Sequence, residues 1–317
     1  MLKYLIMPLA QDSVSFCHYA RNDGDETLIP LHTLRNSIRW AMKENLNIQF
    51  VYPDRELPSE YKETIDTIDH TDIVGSGCKD KILLGNADVV VIDSLENICE
   101  IPWMRDCSYV VRATKENFIK NKSFLVDALS NADRVVAVLI DMVSFKKTDF
   151  DEYKNFLEEM SLVVKSEYKK GHAVHFNLLT DRIFLEKMNN CNAGCESVTL
   201  APNGNFYICP AFYVDGSESI GNLVDGLTIP NAQLFRLDYA PICRNCDAFQ
   251  CRRCVWLNRE TTLEVNTPGH EQCVVAHIER NMSRLLLEEL RNIGITIHDK
   301  CIPELDYMDP IKTVISD

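Results

Sequence analysis

The chain contains no apolar run near the roughly 18 residues that a membrane-spanning helix requires. Its first residues, Met1 to Met7, form only a short apolar stretch before Pro8 and the polar Gln11-Asp12-Ser13. No small-residue cleavage site follows, so no secretory signal is read. Positive charge is in deficit, with 33 Lys and Arg against 47 Asp and Glu, a net charge of −14. That balance argues against a nucleic acid or an anionic membrane as the main partner, and suits a cationic peptide or a basic protein better. Also missing are the Gly-x-Gly-x-x-Gly dinucleotide fingerprint, a phosphate loop and the Gly-x-Ser-x-Gly elbow. No Ser-His-Asp or Cys-His catalytic arrangement, tandem repeat or low-complexity segment stands out. What is left is an ordinary globular composition, 46% hydrophobic and 25% charged, long enough at 317 residues for one large domain and a smaller one.

Cysteine is what the chain has in quantity. Of 13 cysteines, eight fall between residues 191 and 273: Cys191 and Cys195, Cys209, the box Cys243-x2-Cys246-x4-Cys251-x2-Cys254, and Cys273. Thiolates in sets of four hold either tetrahedral zinc or an iron–sulfur cube. With no secretory signal, the expected compartment is the reducing cytoplasm, where clustered cysteines are metal ligands more often than disulfides. A zinc ribbon separates its two Cys-x2-Cys knuckles by about 15–20 residues. The four-residue gap here suits ligands shared between two neighbouring iron–sulfur centres, with zinc as the alternative.

The first 190 residues alternate strand and helix. Strand-like runs occur at Leu2–Leu9, Asn47–Tyr52, Asp88–Asp93, Tyr109–Val111, Arg134–Asp141 and Ala173–Leu179. They are rich in Val and Ile and flanked by Asp, as strands covered on both faces of a parallel sheet are. Leu31, Leu34, Ile38 and Ala41 follow Pro30 at helical spacing, as do Tyr153, Phe156, Leu157, Met160 and Val164. The second of these helices has Thr148 and Asp151 as a capping pair, Lys165, Lys169 and Lys170 near its end, and Gly171 after it. A less regular pattern places a helix between Glu60 and Asp80, and residues 182–190 read as a helical connector. Six such repeats predict right-handed βαβ units in an open doubly wound sheet or a partial (β/α) barrel, with any site in the loops after the strands. A covering helix is expected over Val274–Leu290.

The pattern Cys…Gly204-x4-Cys209…Cys243-x2-Cys246-x4-Cys251-x2-Cys254…Cys273 resembles the SPASM domain, the auxiliary-cluster extension of radical S-adenosylmethionine (SAM) enzymes that modify peptides. Ala201 to Pro210 looks like that family's hairpin, and Ile220-Gly221-Asn222-Leu223 like the segment after it. The family's usual box is x2, x5, x3, where this chain has x2, x4, x2. The resemblance implies a partial (β/α)6 barrel over 1–182, a SPASM-like domain over 183–290 and a C-terminal extension over 291–317. By the family's crossed pairing, Cys191, Cys195, Cys209 and Cys254 would hold one [4Fe–4S] cluster. Cys243, Cys246, Cys251 and Cys273 would hold a second.

The departures carry equal weight. Such enzymes place Cys-x3-Cys-x2-Cys after the first strand, where this chain reads Ser13-Val14-Ser15-Phe16-Cys17-His18-Tyr19-Ala20-Arg21. The family's Gly-Gly-Glu after the second strand is replaced by Tyr52-Pro53-Asp54, and Asp141 to Phe145 lacks the glycines expected after the fifth. No S-adenosylmethionine is therefore expected. Phe16-Cys17-His18-Tyr19, Asn47 to Pro53, His270-Glu271-Gln272-Cys273 and His277 to Asn281 make the whole chain most similar to the CXXX repeat peptide maturase family. That implies an iron–sulfur accessory protein for a ribosomally made, cysteine-rich peptide. It would work beside a separate radical SAM enzyme as an electron relay or a substrate binder. The alternative is a non-catalytic peptide-binding module with structural iron–sulfur or zinc sites.

Other residues keep two readings. Cys17 and His18 are either a substrate contact or remnant ligand pair, or packing residues. Cys78, Cys99, Cys107 and Cys301 read as buried packing residues. His270 or His277 could replace a cysteine as ligand, while His277 and Arg280 could instead orient or solvate an anionic cluster. Arg244, Arg252 and Arg253 interleave the ligands and either donate to the sulfurs or sit on the surface. Trp256 is cluster shielding or core. Asp93, Glu96 and Asp141, at strand ends, read as helix caps.

Overall fold

The computed structural model describes residues 2–22, 24–95, 101–188 and 190–304, so Glu96, Cys99 and the end of the C-terminal extension lie outside the described residues. The chain packs as two compact units. One comprises Met1–Asp93, Ile98–Pro102 and Cys191–Arg236; the other comprises Ser94–Asn97, Trp103–Asn190 and Leu237–Asp317.

The first unit opens with β1 (Tyr4–Pro8), α1 (Leu31–Lys43), β2 (Asn47–Val51), α2 (Ser59–Ile65), β3 (His70–Gly75), α3 (Lys81–Leu84) and β4 (Val89–Ile92). The second unit follows with β5 (Ser108–Ala113), α4 (Lys115–Lys120), α5 (Lys122–Asn131), β6 (Arg134–Leu139), α6 (Lys147–Lys169), β7 (His175–Phe176) and α7 (Asp181–Phe184). The first unit resumes with β8 (Ser197–Leu200), β9 (Phe206–Tyr207), α8 (Pro210–Val214), β10 (Gly221–Asn222) and β11 (Gly226–Leu227). The second closes with α9 (Val255–Thr262) and α10 (His270–Asn292).

In the first unit β1 to β4 pair in parallel and in chain order, β1 with β2, β2 with β3 and β3 with β4. Leu5, Met7, Phe50, Val51, Val74 and Val91 are fully buried. Consecutive buried residues such as Leu5, Ile6 and Met7 need cover on both faces, which is why the run is apolar rather than alternating. The other edge of β1 takes β8 in parallel (Tyr4 opposite Ser197), and β9 returns antiparallel to β8. The turn between them is the hairpin expected at Ala201–Pro210. Gly204 stands there at φ +82, a conformation that a side chain resists.

β3 falls inside the stretch where a helix is expected, and α2 ends at Ile65. The strand escapes pattern reading because its first half, His70-Thr71-Asp72, is polar and only partly buried. His70 Nε2 lies 3.2 Å from Asp72 Oδ1, so these polar side chains are held by each other rather than marked by hydrophobicity.

In the second unit β5, β6 and β7 are parallel. β7 is shorter than the apolar run Ala173–Leu179. Thr180 bonds both the N–H (2.9 Å) and the carbonyl (3.0 Å) of Phe176 through its Oγ1, turning the chain out of the sheet. The connector at 182–190 is helical only through Phe184. α6 begins earlier than expected, with Asp149 accepting the Lys146 N–H at 2.7 Å in place of the Thr148–Asp151 cap. Asp141 does cap a helix, accepting the Lys115 N–H at 3.0 Å, but it is α4, not the helix that follows. The long α10 spans the expected covering helix and packs on α6, with Tyr153 donating to Glu279 (2.8 Å) and Lys165 to Glu289 (2.7 Å). Cys78 and Cys107 are buried as expected; Cys301 is exposed, because it lies in irregular chain beyond α10. Among the described residues no helix is long and apolar enough to cross a membrane.

Candidate metal centre and the loop after the first strand

The cysteine box is irregular chain stapled from below. Cys243 to Asn245 form one 3₁₀ turn, closed by the Cys246 N–H on the Cys243 carbonyl at 3.1 Å. Asp247 then points into two arginines. Arg280 of α10, fully buried, holds it through Nε (3.2 Å) and Nη2 (2.7 Å), and Arg182 of α7 through Nη2 (3.0 Å). Arg182 also lies 4.4 Å from the Phe249 ring centroid. Charge-assisted bonds from two directions fix a loop that has no secondary structure of its own. On this scaffold Cys243 packs with Met188 and Ala240, and Cys246 and Cys251 join the same cluster.

The four thiols of Cys243, Cys246, Cys251 and Cys273 feel one another. Burial pushes Cys243 up to about 11 and Cys273 up to about 12, and raises Cys246 as well. Cys251 is driven well above the ordinary thiol value, first by burial and then by Cys243, Cys246 and Cys273 around it. Arg253 partly offsets the rise at Cys243. A backbone N–H, that of Ala248, points at Cys246 Sγ (3.4 Å), and His277 Nε2 is 3.5 Å from the same sulfur. The four thiols are thus buried and near enough to hold one another's protons more tightly. Yet among the described residues no three His, Cys, Asp or Glu side chains form a site for a single metal ion. Tetrahedral zinc would draw four sulfurs to about 2.3 Å from one point. A cube spreads its four sulfur ligands over four irons, and so asks for a wider set than one zinc ion does.

The remaining four cysteines are placed differently. Cys191 is exposed, and Cys195 follows in a tight turn whose N–H bonds the Asn192 carbonyl at 2.9 Å. Cys209 is the residue before α8, with Pro210 at the first helical position. All three belong to the first unit, whereas Cys254 belongs to the second, where its Sγ accepts the Leu257 N–H at 3.5 Å as the cap of α9. In the segment Ile220 to Leu223, Gly221 and Asn222 form β10, and the chain turns after them. Asn222 Oδ1 accepts the N–H of Val224 (2.8 Å) and of Asp225 (2.9 Å).

The loop after β1 is closed by polar contacts within the first unit. Ser13 donates to the Val51 carbonyl (2.8 Å) and Ser15 to the Tyr19 carbonyl (2.6 Å). Arg21 pairs with Asp54 at 2.5 Å, and Arg55 pairs with Asp12 and bonds the Glu26 carbonyl. The Asp54 carboxylate leans so closely on Gly75 that a Cβ there would overlap Oδ1. Two ion pairs thus tie the loop after β1 to the loop after β2. Cys17 and His18, both partly buried, lie in the same loop. Sequence reasoning missed Arg21, Arg55, Asp12 and Asp54, because isolated charges in loops carry no periodic signal. It also missed Glu279, pushed up to about 7 by burial under α6.

Against known structures, the chain aligns with native anSMEcpe with bound AdoMet and the Cp18Cys peptide at a TM-score of 0.62 and 13% identity, covering 92% of this chain and 100% of that one. Hexahistidine-tagged anSMEcpe with bound AdoMet gives 0.60 and 14%, covering 92% and 99%. The chain has the fold of anSMEcpe. This is the radical SAM/SPASM type of α/β architecture with parallel strands that the sequence leads one to expect. Streptococcus suis SuiB bound to precursor peptide SuiA aligns more loosely, at 0.47 and 12%, over 84% of this chain and 74% of that one. No family model matches the chain, and no curated protein does.

Proposed function

We propose that this chain is an iron–sulfur accessory protein in the maturation of a ribosomally made, cysteine-rich peptide of the CXXX-repeat type. It acts beside a separate, complete radical SAM maturase, by electron relay or substrate binding, in the cytoplasm. The observation that supports this reading is the burial and mutual proximity of Cys243, Cys246, Cys251 and Cys273 in a chain whose loop after β1 offers one thiol, Cys17. Those four side chains would hold one [4Fe–4S] cluster, and Cys191, Cys195, Cys209 and Cys254 the other. A bound cluster of this kind supplies reversible one-electron storage. In this reading the barrel runs over 1–182, the cluster domain over 183–290 and an extension over 291–317.

A radical-generating cube needs three thiolates from the loop after β1, and the residues there do not fit one: a single cysteine and two closed Arg–carboxylate pairs occupy it. The chain therefore leaves S-adenosylmethionine uncleaved. The acidic surplus favours a basic peptide as partner over a nucleic acid or a membrane. The second reading, a peptide-binding module with structural iron–sulfur or zinc, draws support from a groove of about 900 Å³ in the second unit, floored by Phe150, Val274, Ile278, Met282 and Leu285.

Protein purified without oxygen is expected to be brown, with iron and sulfide in equal amounts. Incubated with reductant and S-adenosylmethionine, it should form no 5′-deoxyadenosine. A colourless, iron-free preparation would defeat the cluster assignment, and 5′-deoxyadenosine would defeat the accessory role. Reversible reduction within the partner's range separates the relay from the binding module.

A further inference from the structure

Beyond α10 the chain turns back on itself and is tied down by its backbone. Arg291 Nη2 holds the carbonyls of His298 (2.9 Å) and Lys300 (2.5 Å), and Arg280, fully buried, donates to the Pro303 carbonyl. Lys300 Nζ reaches the Leu185 carbonyl at 2.5 Å, and Ile302 is 3% exposed. Glu304 then lies 3.5 Å from Arg284 Nη2. The contacts step from Arg291 to Arg284 and Arg280, so residues 298–304 run along α10 toward its N-terminus. Charge-assisted bonds to carbonyls fix that path. It ends at the groove between α6 and α10, of which Glu304 is itself a wall.

We propose that residues 305–311 of the same chain lie in this groove, as a strap that a peptide has to displace. They are outside the described residues and read Leu305-Asp306-Tyr307-Met308-Asp309-Pro310-Ile311. Their length fits. The groove follows α10 from Leu285 back to His270, a rise of about 22 Å, which an extended chain covers in about seven residues. Pro310 disfavours a helical Asp309, so an extended path suits the sequence. Along such a path Leu305, Tyr307 and Ile311 share one side. They would cover a floor whose Phe150, Ile278 and Leu285 are only partly buried. Charge agrees as well: Asp306 and Asp309 meet the α6 side of the groove, which carries Lys147 and Lys154 with Asp151 between them. With the strap in place, a peptide binds only in the fraction of time that the groove is open, and its apparent affinity falls by that fraction. The strap needs no metal in the chain, so it stands or falls apart from the cluster reading.

The test uses full-length protein with p-benzoylphenylalanine in place of Tyr307, irradiated, digested and read by mass spectrometry. Cross-links within one chain to residues 145–154 or 270–285 are expected. Cross-links between chains would give the groove to a second copy, and cross-links elsewhere, or none, would leave it to another partner; each of these overturns the strap. A labelled peptide of residues 304–312 supplies a second readout, by fluorescence anisotropy. It should bind the full-length triple variant Leu305→Asp, Tyr307→Asp, Ile311→Asp about tenfold more tightly than wild type, as a strap in place about nine-tenths of the time requires. Adding Ile278→Asp to that variant should abolish the binding. Equal affinity for wild type and the triple variant, or binding that survives Ile278→Asp, overturns the inference. Neither readout depends on iron, so failure here leaves the cluster reading intact.

Discussion

His70 and Asp72 sit two residues apart on β3, on the same side of a strand whose side chains alternate. The hydrogen bond to Asp72 is the main reason the imidazole is pushed up to about 9, against a smaller opposing effect of burial. A histidine whose folded value exceeds its unfolded one adds stability that is fully present below about pH 6.5. That stability fades as pH rises through about 9. His70→Gln should therefore unfold about 2 kcal/mol more easily than wild type at pH 6. Denaturant midpoints of the two proteins should converge by about pH 10, and a constant gap across that range would show that the pair is not what holds the strand. At this scale the sequence was legible where burial follows residue type, as at Cys78 and Cys107. It was silent on Arg21, Asp54 and Asp247, because an isolated charge reads the same whether it faces water or a buried partner.

Helices with a wide apolar stripe were the easiest elements to anticipate, and α10 is the clearest. Val275, Met282, Leu286 and Leu290 recur at helical spacing and are all buried. Leu286 is fully buried, so Leu286→Ala should cost about 2–5 kcal/mol, depending on how far the site collapses. Leu162, on the open side of α6, is 58% exposed, and Leu162→Ala should stay within about 0.5 kcal/mol of wild type. Equal losses from the two substitutions in chemical denaturation would mean that α6 buries the wrong face. Strands were less legible. The apolar run Ala173–Leu179 promises seven residues of strand, but Thr180 captures the Phe176 backbone and ends β7 early. β3 was hidden because half of it is polar, and β8 because nothing in either segment shows that β1 has a free parallel edge to offer.

For the whole molecule, the iron count is the measure. On the two-cluster proposal, Cys251→Ser should lower bound iron from about eight to about four per chain, one cube lost of two. Cys78→Ser, fully buried in the first unit and outside the grid of eight cysteines, should leave the count unchanged. Loss of all iron from Cys251→Ser would mean that the cubes form only together; loss from Cys78→Ser would point to folding rather than ligation. The amino-acid sequence alone determined the α/β class, the parallel strands and the cysteine grid, because periodicity and ligand spacing are local and survive without coordinates. Only the tertiary structure decided that Arg182 and Arg280 hold Asp247 within the cysteine box, and that Arg21 and Arg55 close the loop after β1. Those arrangements join residues far apart in the chain, and their energies come from burial and charge pairing that no local pattern records.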